Sequence, residues 1–576
     1  MELSNYLVER FDAEPPTLMH RMAEQIAADP ARAFILFGED DKAESYGMFD
    51  EAAARLAASF ATLGVRDGTR VSVLSANGEV CVRTMFACWK LGAVYCPVNH
   101  RFTGDLLSYV LNDTAPALLV VDEALVAPLT AILGDVQSPP AIVVHRPRPS
   151  DYDYDPALAG AGFAGEAGLF ADLLASSPYE GALGITAGSP SSIIYTSGTT
   201  GQPKGVVHHH GWLHGLCCGL SGMLHPDDAL YCDLPMYHIG GAFSSVARAA
   251  WAGASIGVWS RFSTQEFWPR IARCGASVVV LLDVMSDWLM AQPETASDRE
   301  NTIIRAHMQP LPDHHHAMAQ RFGFDFVAVG YGSTEIGLGF TGLVDEFPDG
   351  QGTPDHLWKG YSREEIVALI TAMAGPHSIV DGSKPVPKGF MGAPTGMYAP
   401  SVLDADDQEL GPGEQGQLVL NPRRPVLFQD YFGKPEVTAQ VQRPQGFFSS
   451  DIVKRDGNGA FYFCDRKQGF IRVRGENVAA SVVESGLNAH PKVNYCAVVA
   501  IPAAVGSEDD IAAFVVGHDG AVLSEADIIT FAGETMPKFM VPKHVRLMDA
   551  LPTTPTMKIE KYKLKDQILA ELAATG

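Results

Sequence analysis

The chain has 576 residues, 47% of them hydrophobic and 19% charged, so it can bury a sizeable core and is not disordered as a whole. That length exceeds one ordinary domain and points to a large unit with a smaller one. Acidic residues outnumber basic ones 67 to 42, for a formal net charge of −25, whereas a nucleic acid or an anionic membrane surface as main partner would demand a basic field. The opening residues, Met1-Glu2-Leu3-Ser4-Asn5, lack the basic-then-apolar layout of a secretory signal. The most apolar stretch, 276–290, is interrupted by Asp283 and Asp287 and is too short for a bilayer. Nine cysteines without a C-x-x-C pair make neither a disulfide framework nor a zinc ribbon. A reducing cytoplasm is the expected location.

In chain order, short apolar, β-branched runs at 71–74, 118–121, 141–144 and 277–282 alternate with amphipathic segments such as 48–63 and 103–111. That alternation predicts an α/β protein with largely parallel sheets. Residues 146–168, rich in Pro, Asp, Tyr, Gly and Ala, read as an irregular excursion. Residues 345–387 read as an insertion enclosing one helix, with Ser362 and Glu365 as a capping box, Ile366, Leu369 and Ile370 as its apolar stripe and Gly375 as its stop. Near residue 466 the pattern changes to a charged loop, a helix, strands at 495–501 and 511–516, a helix capped by Ser524, and a basic tail.

The sharpest motif is YTSGTTGQPKG at 195–205, directly after a strand-like run. Gly198, Gly201 and Gly205 free the backbone to turn N–H groups toward an anion, Ser197, Thr199 and Thr200 add hydroxyl donors, and Lys204 adds charge. It lacks the G-x-x-x-x-G-K-[ST] layout of the nucleotide-triphosphatase loop. The string closely resembles the phosphate loop of the adenylate-forming enzymes, which comprise acyl-CoA synthetases, luciferases and peptide-synthetase adenylation domains. The resemblance recurs in order at GYGSTE (330–335), Ser449-Ser450-Asp451, Asp465-Arg466-Lys467-Gln468 and PTTPTMKI (552–559).

The resemblance implies a large N-terminal domain of α/β sheets binding AMP and the acyl group (1–465), a hinge (466–468) and a small mobile C-terminal α+β domain (469–576). It also implies a reaction: a carboxylate attacks the α-phosphate of ATP, pyrophosphate leaves, and a thiol then attacks the acyl-adenylate. Joining two anions calls for charge neutralisation and alignment rather than a strong base. By resemblance, Thr196, Ser197, Gly198, Thr199, Thr200, Gly201 and Lys204 hold phosphate. Gly330, Tyr331, Gly332 and Ser333 form the adenine side, with Tyr331 as its flat face, and Thr334 stands near the α-phosphate. Glu335 is the Mg2+ ligand, the type of hard oxygen that ion prefers. Asp451 and Arg466 take the ribose, and Lys558 neutralises the carboxylate and α-phosphate, while Lys561, Lys563 and Lys565 read as a solvated tail.

RVRGEN at 472–477 resembles the R-G-G-E-N loop of acyl-CoA synthetases, which assigns Arg474, Gly475 and Glu476 to coenzyme A and makes free CoA the expected acceptor. The alternative is delivery to a carrier protein or another acceptor. His238 matches the gate between the carboxylate site and the α-phosphate. The triplets His208–His210 and 314–316 are poor chelates, because adjacent side chains diverge. In place of the relatives' Gly-Gly-Ala stand Ala306-His307-Met308-Gln309, and Met308 and Gln309 are expected to line and shorten the acyl pocket. Among family members the motifs most resemble the carnitine/crotonobetaine-CoA-ligase-like ones. The acid itself is not derivable, and a homodimer is left open.

Overall fold

The structure is a computed structural model that describes residues 3–158, 166–196, 203–348, 350, 352–466, 470–473, 476–503, 509–518, 520–536, 538–554 and 558–575, with backbone alone at 283–284, 465–466, 470, 472, 476–477, 479 and 574–575. No described helix is long and apolar enough to cross a membrane.

An eight-stranded sheet forms the first half of the large unit. Five of its strands, Arg70–Leu74, Val94–Pro97, Leu118–Asp122, Ala141–His145 and Pro190–Thr196, run parallel and are nearly all apolar. Burial on both faces leaves no polar side to alternate with. Helices Tyr46–Thr62 and Gly78–Lys90 cover this sheet, and Asn77 starts the second by accepting a hydrogen bond from the Val80 N–H at 3.2 Å.

The second sheet has fifteen strands and departs from the parallel expectation. Strands Ala229–Cys232, Ser255–Val258, Val278–Leu281, Arg305–Met308 and Phe326–Ser333 are parallel, but from Gly337–Asp345 onward nearly all pairings are antiparallel. Short turns rather than crossover helices join many of those later strands, and a tight turn can only reverse direction. Aromatic and aliphatic side chains between the sheets, among them Trp89, Trp212, Phe243 and Trp251, form the main core.

The 345–387 helix forms as expected over Arg363–Ala374, with both capping-box bonds made and Gly375 at its end. Ser524 likewise caps Glu525–Thr535 through a box with Asp527. The last part of the chain has its own sheet, Val493–Pro502, Asp509–Gly517 and His544–Leu547, and its own core around Val483, Val498, Phe514 and Ile528. Of the hinge residues, Lys467 and Gln468 lie outside the described residues.

Candidate active site

Strand Pro190–Thr196 turns back into Lys204–His209 with Thr196 registered opposite Lys204. The two ends of the phosphate motif, Tyr195–Thr196 and Lys204–Gly205, therefore pair across an antiparallel hairpin. Ser197, Gly198, Thr199, Thr200 and Gly201 fall outside the described residues, while Thr196 and Lys204 bracket them. Helix Gly104–Thr114 braces the base of this hairpin: the Tyr109 hydroxyl donates to the Pro203 carbonyl at 3.0 Å, and the Tyr195 hydroxyl donates to Asp113 at 2.7 Å.

The second motif occupies a hairpin tip, where Phe326–Ser333 turns into Gly337–Asp345. Gly332 is required there, because a Cβ would stand 2.0 Å from the Gly337 carbonyl oxygen. Thr334 is buried, and its carbonyl accepts from His208 Nε2 at 2.7 Å. Glu335 has one carboxylate oxygen fixed by the Tyr431 hydroxyl at 2.8 Å. Its carbonyl accepts from Trp212 Nε1 at 3.1 Å and from the Phe428 N–H at 2.8 Å. The Lys204 ammonium lies 5.2 Å from the centre of the Tyr431 ring, within cation–π range. Tyr431 thus ties the phosphate hairpin to the Glu335 tip, a link that reading the motifs separately misses.

Strand Gly446–Arg455 carries Asp451, and Arg466 is registered opposite it on Phe461–Arg466. The Tyr331 hydroxyl donates to Asp451 at 2.5 Å. Tyr331 is only 7% exposed and meets Phe340 edge-on. Besides the flat face expected of it, it thus has a positioning contact, since it orients the carboxylate expected to take the ribose.

His238 stands at the start of the helical run Ile239–Ala252, and its Nδ1 accepts from the Gly240 N–H at 3.1 Å, which leaves the proton of the neutral ring on Nε2. Its outer edge opens to solvent, yet the surrounding protein, and after it the charge of Lys558, push its imidazole well below the ordinary value. The charge of Lys558, from the far end of the chain, is thus felt at His238. Its loop is closed by backbone: the Thr554 N–H donates to the Lys558 carbonyl at 2.8 Å, the Lys558 N–H to Thr554 Oγ1 at 3.1 Å, and Thr553 bridges Ile559. Lys561 and Lys563 are spent on Glu484 and Glu560, at 2.8 and 2.6 Å. The CoA-loop candidates Arg474 and Gly475 lie outside the described residues. Glu476 begins a strand whose partner, Phe470–Val473, sets Val473 opposite it.

The stretch expected to line the acyl pocket divides between the two sides of a strand. Side chains alternate along Arg305–Met308, so Ala306 and Met308 face the core, Met308 being 1% exposed, while His307 and Gln309 take the other side. The first histidine triplet diverges as expected, whereas two members of the second converge on one carboxylate. His208 spans Ser192 and Thr334, His209 caps helix His210–Leu220 through Trp212 N–H, and His210 is buried against Trp89. His315 and His316 both reach Glu346 through Nδ1, at 2.5 and 2.8 Å. Among the described residues, ligand atoms of Glu14, His214 and Cys218 also converge, but Arg10 and the Trp251 N–H already hold both Glu14 oxygens.

Comparison with known proteins agrees with this geometry. A Salmonella typhi crotonobetaine/carnitine–CoA ligase is 28% identical over 530 residues, covering 90% of this chain and 93% of the ligase. The ATP-bound structure of MatB from Rhodopseudomonas palustris superposes with a TM-score of 0.75 at 24% identity, over 96% of this chain and 99% of MatB. The Bacillus subtilis o-succinylbenzoate CoA synthetase, in complex with its acyl-adenylate intermediate, gives 0.72 at 20% identity, over 96% and 98%. The AMP-binding enzyme model matches residues 22–432 and the AMP-binding enzyme C-terminal domain model residues 482–558. The first of these models spans more than half of the residues, and the chain belongs to the AMP-binding enzyme family.

Proposed function

We propose that the protein ligates a carboxylic acid to coenzyme A through an acyl-adenylate, releasing pyrophosphate and then AMP. The observation that carries this reading is the link through Tyr431, whose ring meets Lys204 and whose hydroxyl fixes Glu335, with the charge of Lys558 felt at His238. A cation aimed at the place where carboxylate and α-phosphate meet removes the repulsion that opposes bond formation. Thr196 and Lys204 bracket the triphosphate loop, Thr334 stands at the tip beside it, and Asp451, oriented by Tyr331 and opposite Arg466, takes the ribose. His238 presents Nε2–H to the carboxylate side.

Glu335 suits Mg2+, because Tyr431 fixes one of its oxygens and the half-buried carboxylate is a hard donor. When bound there, the ion would neutralise phosphate charge. For the second step the C-terminal part turns about the hinge at 466–468 and brings Arg474, Gly475 and Glu476 to the adenylate in place of Lys558, since one pose can hardly present both loops. The homology to CoA ligases favours free CoA over a carrier protein as acceptor.

The test is a panel of carboxylic acids with ATP and Mg2+, reading pyrophosphate with and without CoA. Acid-dependent pyrophosphate release, with AMP and an acyl-CoA appearing only when CoA is present, is the expected result. Pyrophosphate release without any thioester would move the reading to another acceptor, and the absence of acid-dependent release would reject it.

A further inference from the structure

Arg248 is 5% exposed and lies within the helical run that begins beside His238. Its Nε is buried without a partner, and among the described residues its guanidinium forms no hydrogen bond or ion pair. The nearby carboxylate, Asp228, is spent: it is bonded to Arg305 at 2.5 Å, to the Ser277 hydroxyl at 2.6 Å and to the His225 N–H at 2.8 Å. Cys217, also close, is held protonated by burial and brings no counter-charge. A buried charge without a counter-ion is strongly unfavourable, because nothing replaces the water it has lost. A fold keeps such a group where something else completes it.

We propose that Arg248 binds a second carboxylate on the acid substrate, so that the preferred acids are compact dicarboxylates rather than neutral-tailed or cationic ones. This rests on the ligase reading and names the substrate class of that site. The geometry sets the span. Ten residues separate Arg248 from His238 along a run whose middle, Ala242–Ala247, is π-helical, so the rise between them is at most about 15 Å and the reach of the two side chains shortens what a ligand must span. Allowing for the contact at each end, diacids of about five to eight carbons bridge it.

A second face of the pocket agrees. His307 stands on the side of its strand that leads to Gln309, away from the core, and the charge of Arg248 reaches it. Burial and that charge push the His307 imidazole down to about 4, so it is neutral at physiological pH and can donate to an acid tail without needing a counter-ion. Arg248 itself is pushed down to about 9, by burial first and then by Arg305, and the charge of an incoming carboxylate would push it back up.

The experiment compares glutarate, adipate and pimelate with their monoamides and with acids of equal length ending in trimethylammonium. The readouts are kcat/KM for thioester formation and, without ATP or CoA, the melting temperature. For the wild-type protein we expect at least tenfold preference for a diacid over its monoamide, no use of the cationic acid, and a rise in melting temperature with the diacid only. Arg248→Met should reverse the preference, abolish the diacid-dependent rise and, having lost an unpaired buried charge, melt above the wild type when unliganded. Arg248→Lys should keep part of the diacid preference.

Equal use of diacid and monoamide by the wild type would overturn the proposal, as would a uniform loss across all acids in Arg248→Met accompanied by a lower melting temperature. Should no acid release pyrophosphate, the ligase reading fails by itself, while the diacid-specific melting shift still decides whether Arg248 binds a carboxylate.

Discussion

Replacing Lys558 with alanine should separate the two half-reactions. The lysine is presented by a loop clasped through its own backbone and the Thr554 hydroxyl, none of which the substitution removes. Its side chain is exposed, so little folding energy is at stake and the variant reports on chemistry. Loss of one preorganised donor aimed at developing charge costs about 3–4 kcal/mol, a hundred- to thousand-fold in rate. Pyrophosphate release from acid and ATP should fall by that factor. Thioester formation from chemically made acyl-adenylate and CoA should stay within about twofold, since Lys558 has by then turned away. Removing the positive charge should also raise the His238 pKa, visible as an upward shift of its imidazole titration by NMR. Lys561→Ala, which loses only the Glu484 contact, is the control. Equal slowing of both steps, or an unmoved His238 titration, would refute the placement of Lys558 at the adenylation centre.

Tyr331→Phe removes the hydroxyl that orients Asp451. It should weaken ATP binding about ten- to a hundred-and-fiftyfold, the worth of one hydrogen bond to a charged group, with kcat for thioester formation from supplied adenylate less affected; KM for ATP is the measurement. Met308→Ala should cost about 2–5 kcal/mol of stability in denaturant unfolding while leaving the choice of acid unchanged, whereas His307→Gly should shift that choice. Asp233 is buried and its carboxyl is pushed up to about 6, burial outweighing the Tyr231 hydroxyl bond. Its folded pKa lies above the unfolded value, so the fold is favoured by the protonated form and loses stability as pH rises from about 4 to 6, by roughly 3 kcal/mol. Asp233→Asn should therefore be the more stable protein at pH 7–8, with the gap closing below pH 4 in paired urea titrations.

The sequence resolved the local signals well, and long-range ones poorly. Strand cores such as 118–121 and the capped helix at Arg363–Ala374 were legible because burial and capping are written within a few residues. The antiparallel half of the second sheet was not, since a run such as Gln415–Pro422 looks the same whichever way its neighbour points. The site follows the same division. Lys204, Glu335, Asp451 and Lys558 stand out through their motifs. Tyr431 and His208, which join those motifs, carry no local mark, because their partners lie 96 and 126 residues away. Which of Ala306, His307, Met308 and Gln309 look inward was illegible for a simpler reason: alternation along a strand fixes which residues share a face, but not which face looks inward.

The strand Asp430–Tyr431 covers the open edge of Lys204–His209, and only there does Tyr431 meet both Lys204 and Glu335. In a growing chain this edge is made more than two hundred residues before its cover. At roughly 5–20 residues per second, the hairpin waits on the order of 10–45 s with a row of unpaired backbone groups facing out. The apolar pair Val206 and Val207 sits on that edge, which makes it a natural place for a chaperone to bind or for two unfinished chains to stick together. Yield in a cell should then depend on how fast the stretch from 210 to 431 is translated, although the finished protein bears no trace of the delay.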